Sequence, residues 1–295
     1  MRDLSLTQVW LDEQSPAQPQ ELFVLVDAAM DRKLPQQLQR AGYPSAALLE
    51  HLGSGVAERG PQLFHIYSAS ALQDIAALRY AASSAFTVIC ASVGLPELHS
   101  HLKSFKQVHL EGGLELGFAF WDPAILGTLV GQADDTTLHI AGPVLDAQQM
   151  QAFLHPITAW WYWDREDLPH RIDPPSKAAP HDSAQVIQAL RLTQAQEDLL
   201  VEASVPDQII YHIELNQPHL FDKRLPAINR YRFVRAVLGP ARQLGLSGLR
   251  DLVNFTAMCL IYRQRMQTDP AIAVLLDQVR LGELTLDQAI EQMPE

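Results

Sequence analysis

The spacing of apolar residues separates the chain into a first part that predicts strands and helices and a last part that predicts helices alone. Continuous apolar runs with many β-branched or aromatic members predict buried strands at 22–27, 61–67, 86–91 and 157–163. Apolar residues at helical spacing predict helices at 33–41, 70–83, 96–105 and 123–129. Residues 105–118 surround a Glu-Gly-Gly turn and predict a β-hairpin, and a further strand is expected at 137–141.

This alternation predicts an α/β (α+β) N-terminal lobe. Its sheet should be mixed, because the hairpin adds antiparallel pairs to strands that helices connect. The pattern changes after residue 163, where four prolines stand among charged residues between 164 and 183 and no strand pattern follows. We therefore predict a mixed α/β domain at 1–165, a Pro-rich linker at 166–183 and an all-α lobe at 184–295.

Local signals mark where the helices of the last part begin and end. Thr193-x-x-Gln196 and Thr285-x-x-Gln288 are candidate capping boxes, and Asp269-Pro270 predicts another helix start. Ser247 is a candidate cap for the long helix that follows it. Gly239-Pro240 predicts a kink or a stop in the preceding helix.

The composition is typical of a globular protein, with 47% hydrophobic and 19% charged residues. No apolar run approaches the ~20 residues of a membrane helix, and the first residues lack the apolar core of a secretory signal. The two cysteines, Cys90 and Cys259, lie in apolar segments, as expected of reduced thiols. We therefore expect a cytoplasmic protein that does not bind a membrane.

Charge is distributed unevenly along this chain, whose net charge is −12. Between 223 and 265 the sequence has nine basic residues and a single acidic one, Asp251. One interpretation is a docking surface for an acidic partner; the other is pairing with the chain's own acids or simple solvation. The candidate partner-binding residues are Arg230, Arg232, Arg235 and Arg242. A nucleic-acid partner is not expected, because an acidic chain repels phosphates.

A run of four aromatic residues, Trp160-Trp-Tyr-Trp163, is the most unusual feature of the predicted strands. On a strand, Trp160 and Tyr162 face one side of the sheet, and Trp161 and Trp163 face the other. The run therefore either packs in the core or between the lobes, or presents one face to a partner, since aromatic residues dominate interfaces.

The common sequence motifs of catalysis are missing. The sequence has no P-loop, no dinucleotide-binding glycine pattern, no nucleophile elbow and no His-Glu-x-x-His. His99 and His101 stand two apart on a predicted helix, so we expect solvated side chains that do not share a metal. Asp27 ends a strand and is either a functional carboxylate or a cap, and Asp122 before Pro123 predicts a helix cap. No residue is assigned to catalysis, a cofactor or a metal.

An ordered set of short elements resembles the type VI secretion adaptor family, known as domain of unknown function 4123. The resemblance runs from about residue 22 to 145. It implies that the shared residues are structural, and they are Asp27, Gly60, Pro61, Trp121, Asp122, Pro123, Gly142 and Pro143. The sequence departs from the family pattern before Phe86, where Ala81-Ala-Ser-Ser-Ala replaces an expected tryptophan and several glycines.

The resemblance implies a cytoplasmic chaperone that binds a secreted toxin effector and loads it onto the valine-glycine-repeat spike protein. Such a protein is not an enzyme and needs no cofactor. Two alternatives stay open: an α/β hydrolase-like enzyme with a cryptic site around Asp27, Asp122 and a histidine, and an immunity protein that blocks a toxin. A deep pocket with perturbed carboxylates would favour the enzyme, whereas a shallow apolar groove would favour the adaptor.

Overall fold

The first strand of the chain lies in the middle of a six-stranded sheet. A computed structural model describes residues 20–50, 53–67, 85–175, 190–222 and 224–294. The strands are β1 (Glu21–Asp27), β2 (Ser45–Ala47), β3 (Pro61–Ile66), β4 (Phe86–Ala91), β5 (Gln107–Leu110), β6 (Glu115–Gly117), β7 (Ile157–Trp163), β8 (Pro169–Ile172) and β9 (Leu190–Leu192). The helices are α1 (Lys33–Arg40), α2 (Ser54–Ala57), α3 (Leu95–Ser104), α4 (Pro123–Val130), α5 (Ala147–Leu154), α6 (Gln194–Asn216), α7 (Ala227–Gln243), α8 (Leu249–Tyr262), α9 (Arg265–Thr268), α10 (Pro270–Arg280) and α11 (Leu286–Glu291). The helix predicted at 70–83 lies outside the described residues.

The six strands follow the order β2-β3-β1-β4-β7-β8, and every neighbouring pair is antiparallel. A second sheet of three strands follows the order β6-β5-β9 and contains a parallel pair, β5 with β9. The predicted mixed α/β fold class is confirmed. The hairpin, however, builds a separate small sheet, so its pairing does not extend the sheet formed by β1.

The strand expected at 137–141 is wrong, because turns and bends occupy that stretch. The side chain of Asp135 accepts hydrogen bonds from the backbone N–H and the hydroxyl of Thr137. Such local side-chain bonds give the backbone an alternative to a strand ladder. The apolar alternation alone could not reveal this competition.

The six-stranded sheet is buried on both faces, which explains why its strands are continuously apolar. Phe23 and Leu25 of β1 belong to the core on one face, and Val24 and Val26 belong to the core on the other. The aromatic run of β7 alternates in the same way: Trp160 and Tyr162 lie in the first core, Trp161 and Trp163 in the second. The exposed fractions of Trp160, Trp161 and Trp163 are 0%, 6% and 0%, so these side chains pack in the core and do not present a partner surface.

The chain divides into two compact units, residues 1–200 and 201–295. Two strands lie beyond the predicted end of the first domain: β8 forms inside the interval predicted as a linker and pairs with β7, and β9 pairs with β5. Prolines interrupt helices more than edge strands, so the prolines of this interval did not prevent β8, which begins at Pro169 and lies at the edge of the sheet. None of the described helices is long and apolar enough to cross a membrane.

Residues 194–291 are helical, as predicted. The capping boxes at Thr193 and Thr285 are present, and Asp269 caps α10 through the backbone N–H of Ala271. Gly239-Pro240 does not stop α7, which continues to Gln243 although Pro240 lacks the backbone N–H of a normal helical residue. Ser247 is not the cap of α8 either, because the helix begins after Gly248 and has no side-chain cap.

Candidate binding site

Four of the residues that the sequence resemblance singled out meet where β1 ends and β3 begins in the six-stranded sheet. Asp27 is the last residue of β1 and pairs in register with Pro61, the first residue of β3. Gly60 precedes Pro61, and its carbonyl accepts from the backbone N–H of Ala28 at 3.4 Å. The indole Nε1 of Trp121 donates to Oδ2 of Asp27 at 3.2 Å, although the two residues lie 94 positions apart.

Both oxygens of the Asp27 carboxylate have a hydrogen-bond donor. Oδ2 accepts from Trp121, and Oδ1 accepts from the backbone N–H of Ala29 at 2.9 Å, which closes the turn after β1. Asp27 therefore caps the turn after β1, which was one of its two interpretations, and it also orients the Trp121 side chain. These two bonds fix the orientation of the carboxylate and give it a structural role in the turn.

An open depression of about 880 Å³ lies beside this pair. Apolar side chains dominate its lining, and they are Ala29, Leu49, Val56, Pro61, Ala119 and Trp121. Glycines 53, 55 and 60 supply backbone to its wall, and Asp27 and Arg59 are the charged residues that line it. We call this depression the Trp121 pocket.

Gly60 has a steric reason to lack a side chain. It is buried, and a Cβ at this position would lie 3.1 Å from both the Cδ1 of Leu49 and the carbonyl oxygen of Val56. This close approach brings α2 and the segment after β2 against the start of β3, and so shapes one wall of the Trp121 pocket.

The other residues that the sequence resemblance singled out hold helix α4, which begins two residues after Trp121. Oδ1 of Asp122 accepts from the backbone N–H of Ala124 at 2.8 Å, and Pro123 occupies the first helical position, as predicted. Gly142 has a φ of +76°, and a Cβ there would overlap the carbonyl oxygen of Thr128 near the end of α4. Gly142-Pro143 thus packs against the C-terminal turn of the helix whose N-terminal end positions Trp121.

A second polar cluster, which the sequence did not suggest, joins Asp135, Asp164 and His170. Potential ligand atoms of these three buried residues lie within 4.8 Å of one another, so the group is the candidate metal site among the described residues. Nε2 of His170 donates to Oδ2 of Asp164 at 3.0 Å, and the hydroxyl of Tyr162 donates to Oδ2 of Asp135 at 3.0 Å. The His170 and Tyr162 rings stack with centroids 5.2 Å apart.

Protein donors already occupy the oxygens of this cluster. Oδ1 of Asp164 accepts from the backbone N–H groups of Glu166 and Leu168 in the β7–β8 turn, and Oδ1 of Asp135 accepts from Thr137. A metal would have to displace the His170 and Tyr162 bonds to reach the remaining oxygens. The arrangement therefore works as a structural network that ties the β7–β8 turn to residues 134–137. No sequence spacing could have revealed it, because its members come from a strand, a turn and a loop.

The network shifts the pKa values of its members. Burial alone would lower the pKa of His170, but the hydrogen bond to Asp164 and the charges of Asp135, Asp164 and Asp134 outweigh it and raise the pKa above its usual 6.5. Burial would raise the pKa of Asp164, but hydrogen bonds from His170 and from two backbone N–H groups lower it below 3.8. Burial and the negative charge of Asp135 raise the pKa of the Tyr162 hydroxyl, which stays protonated.

The four candidate partner-binding arginines all lie on α7, and each of them has an interaction within the chain. Arg230 pairs with Glu214 at 2.6 Å, and Arg242 pairs with Glu202 at 2.8 Å, so internal pairing describes these two. Arg232 is exposed, and the guanidinium of Arg235 lies over the ring of Tyr231 at 5.8 Å from its centroid.

The structure also shows the surroundings of His101 and of the two cysteines. His101 was expected to be solvated but is buried, and its Nε2 donates to the carbonyl of Phe153 at 2.9 Å; burial lowers its pKa to about 4, so the ring is neutral. The helix face that carries it packs against α5, which the sequence pattern did not predict. Cys90 and Cys259 are free thiols, and burial raises the pKa of Cys259 to about 11, so neither is an activated nucleophile.

Comparison with known proteins adds one finding. No curated protein and no solved structure matches the chain. The Trp121 pocket lies in the part of the chain that a family model does match. Residues 22–139 match the family described as Domain of unknown function (DUF4123).

Proposed function

We propose that this protein is a cytoplasmic adaptor that binds a secreted toxin effector and loads it onto the valine-glycine-repeat spike protein of a type VI secretion system. The observation that carries the proposal is the position of the residues by which the chain resembles that adaptor family. Asp27, Gly60, Pro61 and Trp121 meet at one open apolar depression. The remaining shared residues hold the helix that follows it.

The chemistry of the Trp121 pocket supports binding over catalysis. Among the described side chains that line it there is no histidine, cysteine, serine or lysine. Its one carboxylate, Asp27, accepts a bond on each oxygen. An enzyme needs a group that can exchange a proton with substrate or attack it. An open apolar surface of this kind is typical of protein recognition.

The experiment uses the two partners that the proposal names. Genes beside that of this chain should encode a spike protein and a large toxin, and each product can be purified and mixed with the tagged chain. We expect a stable complex with the toxin, recruitment of the spike, and no export of the toxin when this gene is deleted. Absence of binding to both proteins would overturn the proposal. A complex in which the toxin has lost its activity would instead indicate an immunity protein.

The exposed positive charge of α7 offers a second test. Reversal of Arg232 and Arg235 to glutamate should slow association with an acidic partner, and low ionic strength should enlarge the difference. Arg191→Glu with Arg280→Glu changes the net charge equally at exposed positions outside the basic segment and serves as the control. If both double variants associate at the wild-type rate at every salt concentration, α7 is not part of an interface.

A further inference from the structure

We infer that the Trp121 pocket receives a large apolar side chain of the protein partner, next to a carboxylate of that partner which pairs with Arg59. The inference rests on the proposed function and adds to it the place and the chemistry of one contact.

The apolar part of the inference follows from the exposed lining. Val56 is 42% exposed and Trp121 and Leu49 are partly exposed, although all three line a concave surface. Water in such a depression is displaced favourably by an apolar group. Buried apolar anchors that fill a pocket at the centre of an interface contribute most of its affinity. The hydrogen bond from Trp121 to Asp27 keeps the indole in one orientation, so the pocket is formed before a partner arrives.

The charged part follows from the difference between Asp27 and Arg59. Both oxygens of Asp27 are engaged within the chain. Arg59 is exposed, and its guanidinium makes no hydrogen bond or ion pair with any residue that the structure describes. Asp27 keeps its negative charge but is held in place by these bonds, whereas the exposed Arg59 guanidinium can turn towards a partner, and a carboxylate is the group that it would pair with.

Size, shape and charge favour a protein as the occupant. Pockets for small molecules bury most of the ligand surface, whereas this depression is open and would leave a small ligand largely in solvent. A second copy of the chain is a poor occupant, because two chains of net charge −12 repel each other.

The test fills the pocket without disturbing its walls. A Cβ at Gly55 would meet no atom within 4 Å and the backbone there is not left-handed, so Gly55→Leu adds an apolar side chain at the pocket lining without a clash at its Cβ. Gly112→Leu in the turn between β5 and β6 is the matched control, because its Cβ also meets nothing within 4 Å. Arg59→Glu reverses the charge of the Arg59 side chain. Because this side chain is exposed, we expect the variant to fold like the wild type.

The probes are the purified toxin and the purified spike protein, each titrated against wild-type and variant chains. We expect Gly55→Leu and Arg59→Glu each to weaken binding of one probe by about tenfold or more, whereas Gly112→Leu binds like the wild type. Melting curves check that the variants are folded, and an acidic-to-basic change in the partner should restore binding to Arg59→Glu.

The outcomes separate the two proposals. If the wild type binds neither probe, the adaptor function itself fails. If the wild type binds and both pocket variants bind equally well, the adaptor function stands and the pocket contact is overturned. The contact is also overturned if a short aromatic acid such as phenylacetate binds the wild type but not Gly55→Leu while both probes bind Gly55→Leu unchanged.

Discussion

The two units differ in how far apart in the chain their polar contacts reach. In the first unit, Trp121 bonds to Asp27 across 94 residues and Trp160 bonds to Thr87 across 73. In the second, the ion pair of Arg242 with Glu202 spans 40 residues, and the cap of α11 at Thr285 joins residues three apart. The comparison teaches that local signals suffice to start and end helices, whereas the sheet unit depends on contacts that form only when distant strands meet.

The units also differ in where they keep charge. The side chains of His170 and Asp164 in the first unit are 5% and 2% exposed, whereas those of Arg265 and Asp269 in the second are 44% and 21% exposed. Removing one partner of a buried pair leaves a charge without compensation, but an exposed pair exchanges its partner for water. We therefore expect single substitutions to have larger effects in the sheet unit.

The largest effect should come from Trp160→Ala. This side chain is fully buried, stacks on Phe153 and donates to the hydroxyl of Thr87 at 2.9 Å. Its loss should lower the free energy of unfolding by about 3–5 kcal/mol. All five tryptophans precede residue 201, so tryptophan fluorescence during denaturation reports the sheet unit alone. Leu252→Ala in the buried face of α8 is the comparison in the helical unit, followed by helical circular dichroism because fluorescence does not report that unit. A loss below about 1 kcal/mol for Trp160→Ala would contradict its place in the core.

The next effect is a pH dependence confined to the buried pair. The folded pKa of His170 lies above 6.5, so its contribution is fully present below that pH and is lost as the pH rises through the raised value. The folded pKa of Asp164 lies below 3.8, so its contribution is present above that pH and is lost as the pH falls through the lowered value. The pair therefore stabilises most between these limits.

We expect His170→Gln to cost about 1–3 kcal/mol near pH 5.5 and less at pH 9, measured by urea unfolding at several pH values. His212→Gln in α6 is the control from the helical unit. A difference between wild type and His170→Gln that does not change with pH would show that the imidazole is not charged in the folded protein.

Alanine substitutions at two glycines, one in each unit, should change the free energy of unfolding in opposite directions. Gly142 has a left-handed backbone, and an added Cβ would overlap the carbonyl of Thr128, so Gly142→Ala should destabilise by about 1–3 kcal/mol. Gly239 lies exposed inside α7 with nothing near its missing side chain. Gly239→Ala should stabilise by about 0.5–1 kcal/mol, because alanine restricts the unfolded chain and favours a helix. Thermal unfolding should give a lower melting temperature than the wild type for Gly142→Ala and a higher one for Gly239→Ala. Equal melting temperatures for the two variants would contradict the opposite roles given to these glycines.

The smallest effect is expected from the cap of the last helix. The hydroxyl of Thr285 accepts from the backbone N–H of Gln288 at 3.3 Å, and the Gln288 side chain accepts from the Thr285 backbone at 2.9 Å. Thr285→Ala should lower the free energy of unfolding by about 1 kcal/mol, measured by following helical circular dichroism during denaturation. Thr285→Ser, which keeps the hydroxyl, should restore most of it, and an unchanged alanine variant would show that this helix end frays freely.

Several elements could be predicted because their causes are local. The capping boxes at Thr193 and Thr285 and the Asp122-Pro123 start of α4 each need only residues three apart or fewer. The strand at 157–163 could be predicted because an unbroken aromatic and β-branched run is buried on both faces of a sheet. Helix α5 was not predicted, because its first residues are polar and give no apolar pattern. Its start is marked only by the capping box of Asp146 with Gln149.

The candidate site could be predicted only as a set of residues. Asp27, Gly60, Pro61 and Trp121 were singled out by resemblance, but nothing in their spacing indicates that they share a pocket. The network of Asp164, His170 and Asp135 gave no signal at all, because scattered acids and histidines are common in any sequence of this composition. The internal ion pairs of Arg230 and Arg242 depend on Glu214 and Glu202, which lie on a different helix.

The amino-acid sequence by itself determined the division into a strand-bearing part and a helical part, the ends of most helices, and the aromatic strand, because periodicity and capping act between near neighbours. Only the tertiary structure decided the strand order, the burial of the tryptophans, the separate small sheet and the pocket beside Trp121. Those features come from contacts between residues far apart in the chain, whose free energy depends on which surfaces meet and has no counterpart in local spacing.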